Sequence, residues 1–260
     1  MDSMLVFDRL AVRRHRDRAA RTVDQVADVL RDAAERLLDR LDDTNRRFTD
    51  ALDVGGRGVV APLLRARGMR VVSCDLSPAM AAANGGLCVA ADEECLPFAP
   101  GSFDLIVASL SLHWINDLPG ALLQLRRALR PEGLLLASLP ALGTLAELRF
   151  ALTEAEAEIA GGASPRVSPF PELRDCAHLL QRAGFTLPVA DVEDIRLLYA
   201  NPFALLTDLR AAGETNAIRE RSRSVPNRAL FPAALARVPA DGDRIGVSLR
   251  MAVMTGWAPG

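Results

Sequence analysis

The sequence predicts an open α/β fold: a mostly parallel sheet flanked by helices, finished by an antiparallel C-terminal strand, with an N-terminal helix and a helical cap. Three observations predict it. Strand-like and helix-like patterns alternate between about residues 50 and 139, a glycine-rich turn at 55–58 follows the first strand pattern, and aspartates end the first two strand patterns at Asp53 and Asp75. Alternation of this kind means parallel strands joined by right-handed crossovers.

Residues 19–41 place Val23, Val26, Val29, Leu30, Ala33, Leu37 and Leu38 on one stripe opposite charges, which predicts one amphipathic helix. Ahead of it, "FDRLAVRRHRDRAA" is dense in arginine and reads either as a solvated arm or helix face, or as a place for an anionic partner. "DALDV" (50–54) is the first strand, followed by a helix near 59–67. "RVVSCD" (70–75) is the second, followed by a helix from Ser77. "GLCVAAD" (86–92) leads into a loop, "SFDLIVASL" (102–110) into a helix near 117–129, and "GLLLASL" (133–139) closes the series. Short runs rich in valine and leucine suit strands buried on both faces. Beyond them lie helices around 143–160 and 171–183, a strand-like "VEDIRLLY" (192–199), helical pieces across 202–237, and "RIGVSLRMAVMTGW" (244–257), expected to return as an edge strand. The reading is an N-terminal arm over 1–48, a core over 49–142, and a cap with the final strands over 143–260.

Open α/β sheets hold ligands at the carboxyl ends of their strands. Gly55, Gly56 and Gly58 let the backbone pass close to a ligand. Asp75 stands 22 positions after Asp53, near the spacing of an acid that accepts hydrogen bonds from both ribose hydroxyls; equally, an aspartate there caps the next helix. It is expected to face a cleft bounded by Gly55, Gly56, Asp92 and Leu110. Asp92, in "ADEECLPF", is placed to accept from an adenine amine, with Leu96 and Phe98 walling the ring. His113 reads either as a base for a proton on the substrate or as half of a packing unit, "HW".

Composition excludes other classes. A formal net charge of −2 gives no electrostatic case for nucleic acid or anionic lipid. All 31 basic residues are arginine, so lysine Schiff-base chemistry is absent. Four cysteines without a C-x-x-C pair signal neither a disulfide framework nor a structural zinc. No apolar run reaches the roughly 20 residues of a membrane span, and "MDSMLVFDRL" lacks a signal-peptide core. The expectation is a cytoplasmic protein with no metal site and no stable membrane insertion.

Together "LDVGGRG", "CDLSPAM", "ADEECLPF", "FDLIVASLSLHWINDLPGAL" and "LRPEGLLL" resemble the successive motifs of class I S-adenosylmethionine-dependent methyltransferases, with their Rossmann-like fold. "FDRLAVRRHRDRAA", "SLSLHWINDLPGAL", "GTLAELR" and "LQRAGF" resemble the branch that contains a mitochondrial complex I assembly factor, and more distantly the malonyl-acyl-carrier-protein methyltransferases of biotin synthesis.

The resemblance implies S-adenosylmethionine as cofactor. Asp53, Gly55, Gly56 and Gly58 would shape its methionine side, Asp75 with Leu76 the ribose, Asp92 with Glu93 the adenine, and Ser109 and Leu110 through Trp114 the floor beside the methyl group. It implies methyl transfer to a small acid, a carrier-bound acyl group or a protein side chain. The alternatives are arginine hydroxylation, for which the sequence shows no 2-His-1-carboxylate set, or non-catalytic assembly, with a complex I subunit as partner. Relatives commonly read Leu-Asp-x-Gly-Cys-Gly-Arg-Gly, so the turn here is one residue short. Val60, Leu63 and Leu64 keep helical spacing, so the helix is expected to stay in place while the glycines take up the contraction. Arg149, Arg166, Arg219 and Arg221, in the cap, read either as solvated surface or as holders of a carboxylate or phosphate.

Overall fold

A computed structural model describes residues 5–260; positions 1–4, where the N-terminal arm begins, lie outside the described residues. Helices α1 (Arg9–Ala19) and α2 (Ala27–Leu38) precede the sheet. The alternating series follows: β1 (Asp50–Val54), α3 (Val60–Ala66), β2 (Arg70–Asp75), α4 (Pro78–Ala83), β3 (Leu87–Ala90), β4 (Phe103–Ser109), α5 (Leu118–Ala128) and β5 (Leu129–Pro140). The chain ends with α6 (Ala146–Ala160), α7 (Leu173–Arg182), β6 (Thr186–Tyr199), α8 (Pro202–Ala211), α9 (Leu230–Leu235), β7 (Ala240–Asp241) and β8 (Arg244–Trp257).

The strand order is β3-β2-β1-β4-β5-β8-β6, with β7 paired to β8. Strands β1 to β5 run parallel, and β8 pairs antiparallel with both β5 and β6. The order reverses between β1 and β4, so their carboxyl ends open the crevice where ligands of such sheets bind. Residues of β1, β4 and β5 are buried on both faces: Ala51, Leu105 and Leu134 pack under α2 and α3, while Leu52, Ile106 and Leu135 pack under α5 and α7. A third apolar cluster, with Leu148, Leu152, Leu205, Leu230 and Val247, belongs to the cap.

Two expectations are corrected. Residues 19–41 do not form one helix: α1 ends at Ala19, a tight turn and a 3₁₀ turn over Val23–Val26 follow, and α2 starts only at Ala27. Val23 and Val26 still reach the core, because the turn presents them to it. The arginine-dense stretch is itself a helix, N-capped by the Asp8 carboxylate, which accepts from Ala11 N at 3.0 Å. The second correction concerns β8, which is an interior strand. Met251 to Met254 are buried on both faces, and the edge belongs to β6, whose side chains are half-buried or exposed and include Glu193, Asp194 and Arg196. Charges of this kind protect an edge against unwanted pairing.

Candidate functional site

The glycine turn sits at the end of β1, and Gly55 N donates to Cys74 O at 2.8 Å. Four consecutive residues adopt positive φ: Gly55 (82°), Gly56 (33°), Arg57 (50°) and Gly58 (79°). The shortened turn is therefore absorbed by extending a left-handed path to a non-glycine residue, which is costly for a side chain with a Cβ. The helix stays in place, with Val60 and Leu64 buried. Glycine is required sterically as well: a Cβ on Gly55 would collide with the side chain of Ser111, and one on Gly56 with the amide of Asn84. Asn84 accepts from Gly58 N at 2.6 Å, tying the loop to α4.

Of the acids expected to meet the cofactor, Asp75, Asp92 and Glu93 come together, but two arginines of α1 hold them. Arg16, only 1% exposed, donates to Asp75 Oδ2 at 3.1 Å, to Glu93 Oε1 at 2.8 Å and to Ser111 O at 3.3 Å. Arg9 donates to Asp92 Oδ1 at 2.5 Å, to Glu93 and to Trp114 O. Asp75 is fully buried, and its second oxygen accepts from Ser77 N at 2.8 Å. The N-cap of α4 is Ser77, whose hydroxyl accepts from Met80 N, so Asp75 is not the cap. Burial pushes the Asp75 carboxyl up even against the pull of Arg16. Burial also raises Glu93, but Arg16 and Arg9 outweigh it and hold that carboxyl below its usual range. The space in front of Asp75 is filled by Arg16 and is not an open cleft.

Asp53 is 1% exposed, with Oδ2 at 3.5 Å from the Ser73 hydroxyl and Oδ1 without a partner. Burial, with the charge of Asp75 adding to it, pushes Asp53 up to about 8. Ser111 Oγ is likewise buried and unpaired. The two orphaned polar atoms beside the glycine turn suit the amine end of the cofactor that the motifs imply, whereas Asp75 can meet a ribose only where Arg16 leaves it. Leu76 packs against the Phe7 and Trp114 cluster, Ser109 ends β4, and Leu96 and Phe98 pack on the core under α5. The left-handed Leu110 (φ 48°) turns its carbonyl toward Arg57, which donates to it at 2.8 Å.

After β4 the chain forms a 3₁₀ turn, Leu112–Trp114. His113 Nε2 lies 2.7 Å from Glu214 Oε2, which also accepts from Trp114 Nε1 at 2.7 Å, while Arg57 reaches Glu214 Oε1 at 2.5 Å. Burial raises the Glu214 carboxyl, but His113 and Arg57 hold it far below its usual range. An ionised carboxylate only accepts, so Nε2 carries a proton, while Nδ1 is buried and without a partner. Trp114 does pack, edge-on against Phe7 at 5.2 Å. Arg57, Leu110, His113 and Glu214 line one end of a cavity of about 540 Å³ that continues under the cap.

Sequence reasoning missed Arg9, Arg16, Arg57 and Glu214. The two α1 arginines carried a signal, since positions seven apart share a helix face. Glu214 carried none, being a single acid in an irregular segment. Of the cap arginines, Arg149 donates to Ser168 O, Arg166 pairs with Glu156, and Arg221 pairs with Asp8 at 2.9 Å. Among the described residues no three His, Cys, Asp or Glu side chains are grouped to hold a metal ion, and no helix is long and apolar enough to cross a membrane.

A family model described as a methyltransferase domain matches residues 52–137. The mitochondrial arginine-hydroxylase NDUFAF5 of Danio rerio is 35% identical over 268 residues, covering 98% of this chain and 84% of that protein. The Homo sapiens protein of the same name is 38% identical, covering 88% and 69%. A malonyl-[acyl-carrier protein] O-methyltransferase of Halorhodospira halophila is 37% identical, covering 90% and 80%. Among solved structures, YcgJ of Bacillus subtilis superposes with a TM-score of 0.57 at 13% identity, over 86% of this chain and 98% of that one. The 1,6-didemethyltoxoflavin-N1-methyltransferase of Burkholderia thailandensis, holding S-adenosylhomocysteine, gives 0.50 at 19% identity, over 92% and 82%.

Proposed function

The chain belongs to the class I S-adenosylmethionine-dependent methyltransferases, and on that footing we propose that it methylates a nucleophile seated in the cap cavity against His113. One observation carries this reading: the imidazole is fixed through Nε2 on the Glu214 carboxylate, leaving a buried, unpaired Nδ1 at the carboxyl end of β4. A histidine oriented in this way takes a proton at its free nitrogen. Arg57, bonded to Leu110 O and to Glu214, holds that carboxylate in place. When bound, S-adenosylmethionine supplies a methyl group on a positively charged sulfur, and transfer then depends mainly on alignment.

Asp53 Oδ1 and Ser111 Oγ would hold the amino-acid end of the cofactor, Asp75 the ribose and Asp92 the adenine. Asp75 has one oxygen on Ser77 N and the other on Arg16, so ribose binding exchanges Arg16 for the sugar hydroxyls and displaces α1. The free thiols Cys74, Cys88, Cys95 and Cys176 suit a reducing, cytosolic compartment. The hydroxylase relatives, alike over nearly the whole chain, support a second reading: oxidation of an arginine in a protein partner, within the complex I assembly role that the resemblance implies. An oxidised product in place of a methylated one distinguishes it.

Calorimetric titration with S-adenosylmethionine tests the cofactor assignment. Asp75→Ala is expected to weaken binding by about 1.5–3 kcal/mol; unchanged affinity removes Asp75 from the site. His113→Gln should leave cofactor affinity unchanged and slow the incorporation of radiolabelled methyl groups into cell-extract acceptors roughly 100- to 10,000-fold. Equal incorporation by the two proteins makes the histidine a packing residue.

A further inference from the structure

The cap cavity identifies a class of ligand. Its walls come from α2, α6, β6, α8 and α9 and are mainly apolar, with Leu30, Leu148, Leu197, Leu206 and Phe231 among them. A volume of about 540 Å³ is in the range of roughly 300–1,000 Å³ that takes a drug-sized molecule. It opens toward solvent beside α8, where the lining residues Phe203, half exposed, and Arg210 lie at the surface.

The inner arginines of the lining are already matched. Arg57 is paired with Glu214, Arg166 is paired with Glu156 and stacked over Phe231, and burial with the charge of Asp208 keeps the Tyr199 hydroxyl protonated. Only Arg210 stands out toward solvent, at the rim. An anionic ligand reaching the inner end would have to compete with Glu214 for Arg57 and leave one carboxylate uncompensated in an apolar chamber, which is costly. Three lining residues still carry buried atoms without partners: Arg57 Nε–H, a donor, His113 Nδ1, and the hydroxyl of Thr215, next to Glu214. Arg57 and His113 bind the same carboxylate. With His113 neutral, as the proposed reaction requires, one neutral O–H satisfies both Arg57 and His113, whereas a carboxylate leaves Nδ1 without a donor.

We propose that the cavity binds a neutral, predominantly apolar molecule bearing a hydroxyl group, with the hydroxyl at Arg57 and His113 and the apolar body under the cap. The proposal rests on the reading of His113 as the proton acceptor and names the acceptor class: a lipid-like alcohol or phenol. Binding is tested without cofactor, so the two readings fail separately.

Nile red, a neutral solvatochromic dye, is titrated into the purified full-length chain. Saturable binding with a blue-shifted emission is expected, displaced by dodecanol and at least tenfold less effectively by dodecanoate. Leu206→Trp, which fills the cavity, should raise the dye's Kd at least tenfold. Leu198→Trp, on a β6 side chain that points away from the cavity, should leave it unchanged. No saturable binding, dodecanoate matching dodecanol, or equal affinity in the cooperatively folded Leu206→Trp protein overturns the proposal. The competition between the two detergent-length molecules uses the wild-type chain and needs no variant to fold. Dye binding as expected with no methyl transfer removes the reaction; methyl transfer with no binding of the alcohol removes this ligand class.

Discussion

A buried carboxyl with an unused oxygen is an unstable arrangement when ionised, and Asp53 resolves it by holding its proton up to about pH 8. In the unfolded chain the same group loses its proton near 3.9. Between those values the folded state binds a proton that the unfolded state has shed, so this group's contribution to stability is full below about pH 4 and is lost as the pH rises toward about 8. Asp53→Asn should flatten that slope, raising the urea midpoint relative to wild type more at about pH 8 than at about pH 5; parallel pH profiles would mean that Asp53 is already ionised. Glu214 works in the opposite direction, because Arg57 and His113 keep it charged. Glu214→Gln leaves the Arg57 guanidinium without its counter-ion and is expected to cost about 3–5 kcal/mol in urea unfolding. Asp53 was legible as the acid ending the first strand, since strand ends declare themselves through hydrophobic pattern. Glu214 was not, because its partners lie 100 to 157 positions away and no local period marks it.

At the scale of elements, α1 and the glycine turn shape the site. The richness of this helix in arginine was plain from the sequence, but periodicity says which residues share a face and not what the face meets. It meets acids 59 to 84 positions away. If the ribose replaces Arg16 on Asp75, adding S-adenosylmethionine should accelerate hydrogen exchange in the α1 amides while slowing it in β2; α1 amides that are unchanged or better protected would show that the helix stays docked. The turn makes a second test possible. Its contraction was visible as a missing residue, and the prediction that glycines would absorb it held for Gly55 and Gly56, but the left-handed run also takes in Arg57. Inserting a cysteine between Gly55 and Gly56 should relax that run and move the loop off Ser111 and Asn84. Calorimetry is expected to show cofactor binding tightened about tenfold, or about 1.4 kcal/mol. Weaker binding in the insertion variant would mean that the short loop is already matched to its ligand.

Across the whole molecule, the parallel half of the sheet was legible strand by strand because its runs are short, apolar and punctuated by glycine or acid. The antiparallel half was legible in its elements but not in their order: β6 and β8 are equally long, and only the charges of β6 against the uncharged Met251–Met254 run of β8 distinguish edge from interior. The cap cavity could not be read at all, since it is assembled from five elements that no local pattern connects. One further consequence follows from how the first helix is fastened. Asp8 N donates to Ala217 O, and the Asp8 carboxylate accepts from Arg221, 213 positions later in the chain. At roughly 5–20 residues per second of translation, those anchors leave the ribosome about 10–40 seconds after the arm. During that interval β1 to β5 can be complete while the arm lacks those anchors and is held by its contacts with Asp75, Asp92, Glu93 and the segment 111–116. Cofactor present during synthesis meets a helix with fewer anchors, whereas cofactor added to the finished protein must displace the fully fastened one. Protein translated in vitro with S-adenosylmethionine should therefore carry more of it through gel filtration than the same protein loaded afterwards for an equal time, and equal retention would show that the arm exchanges freely.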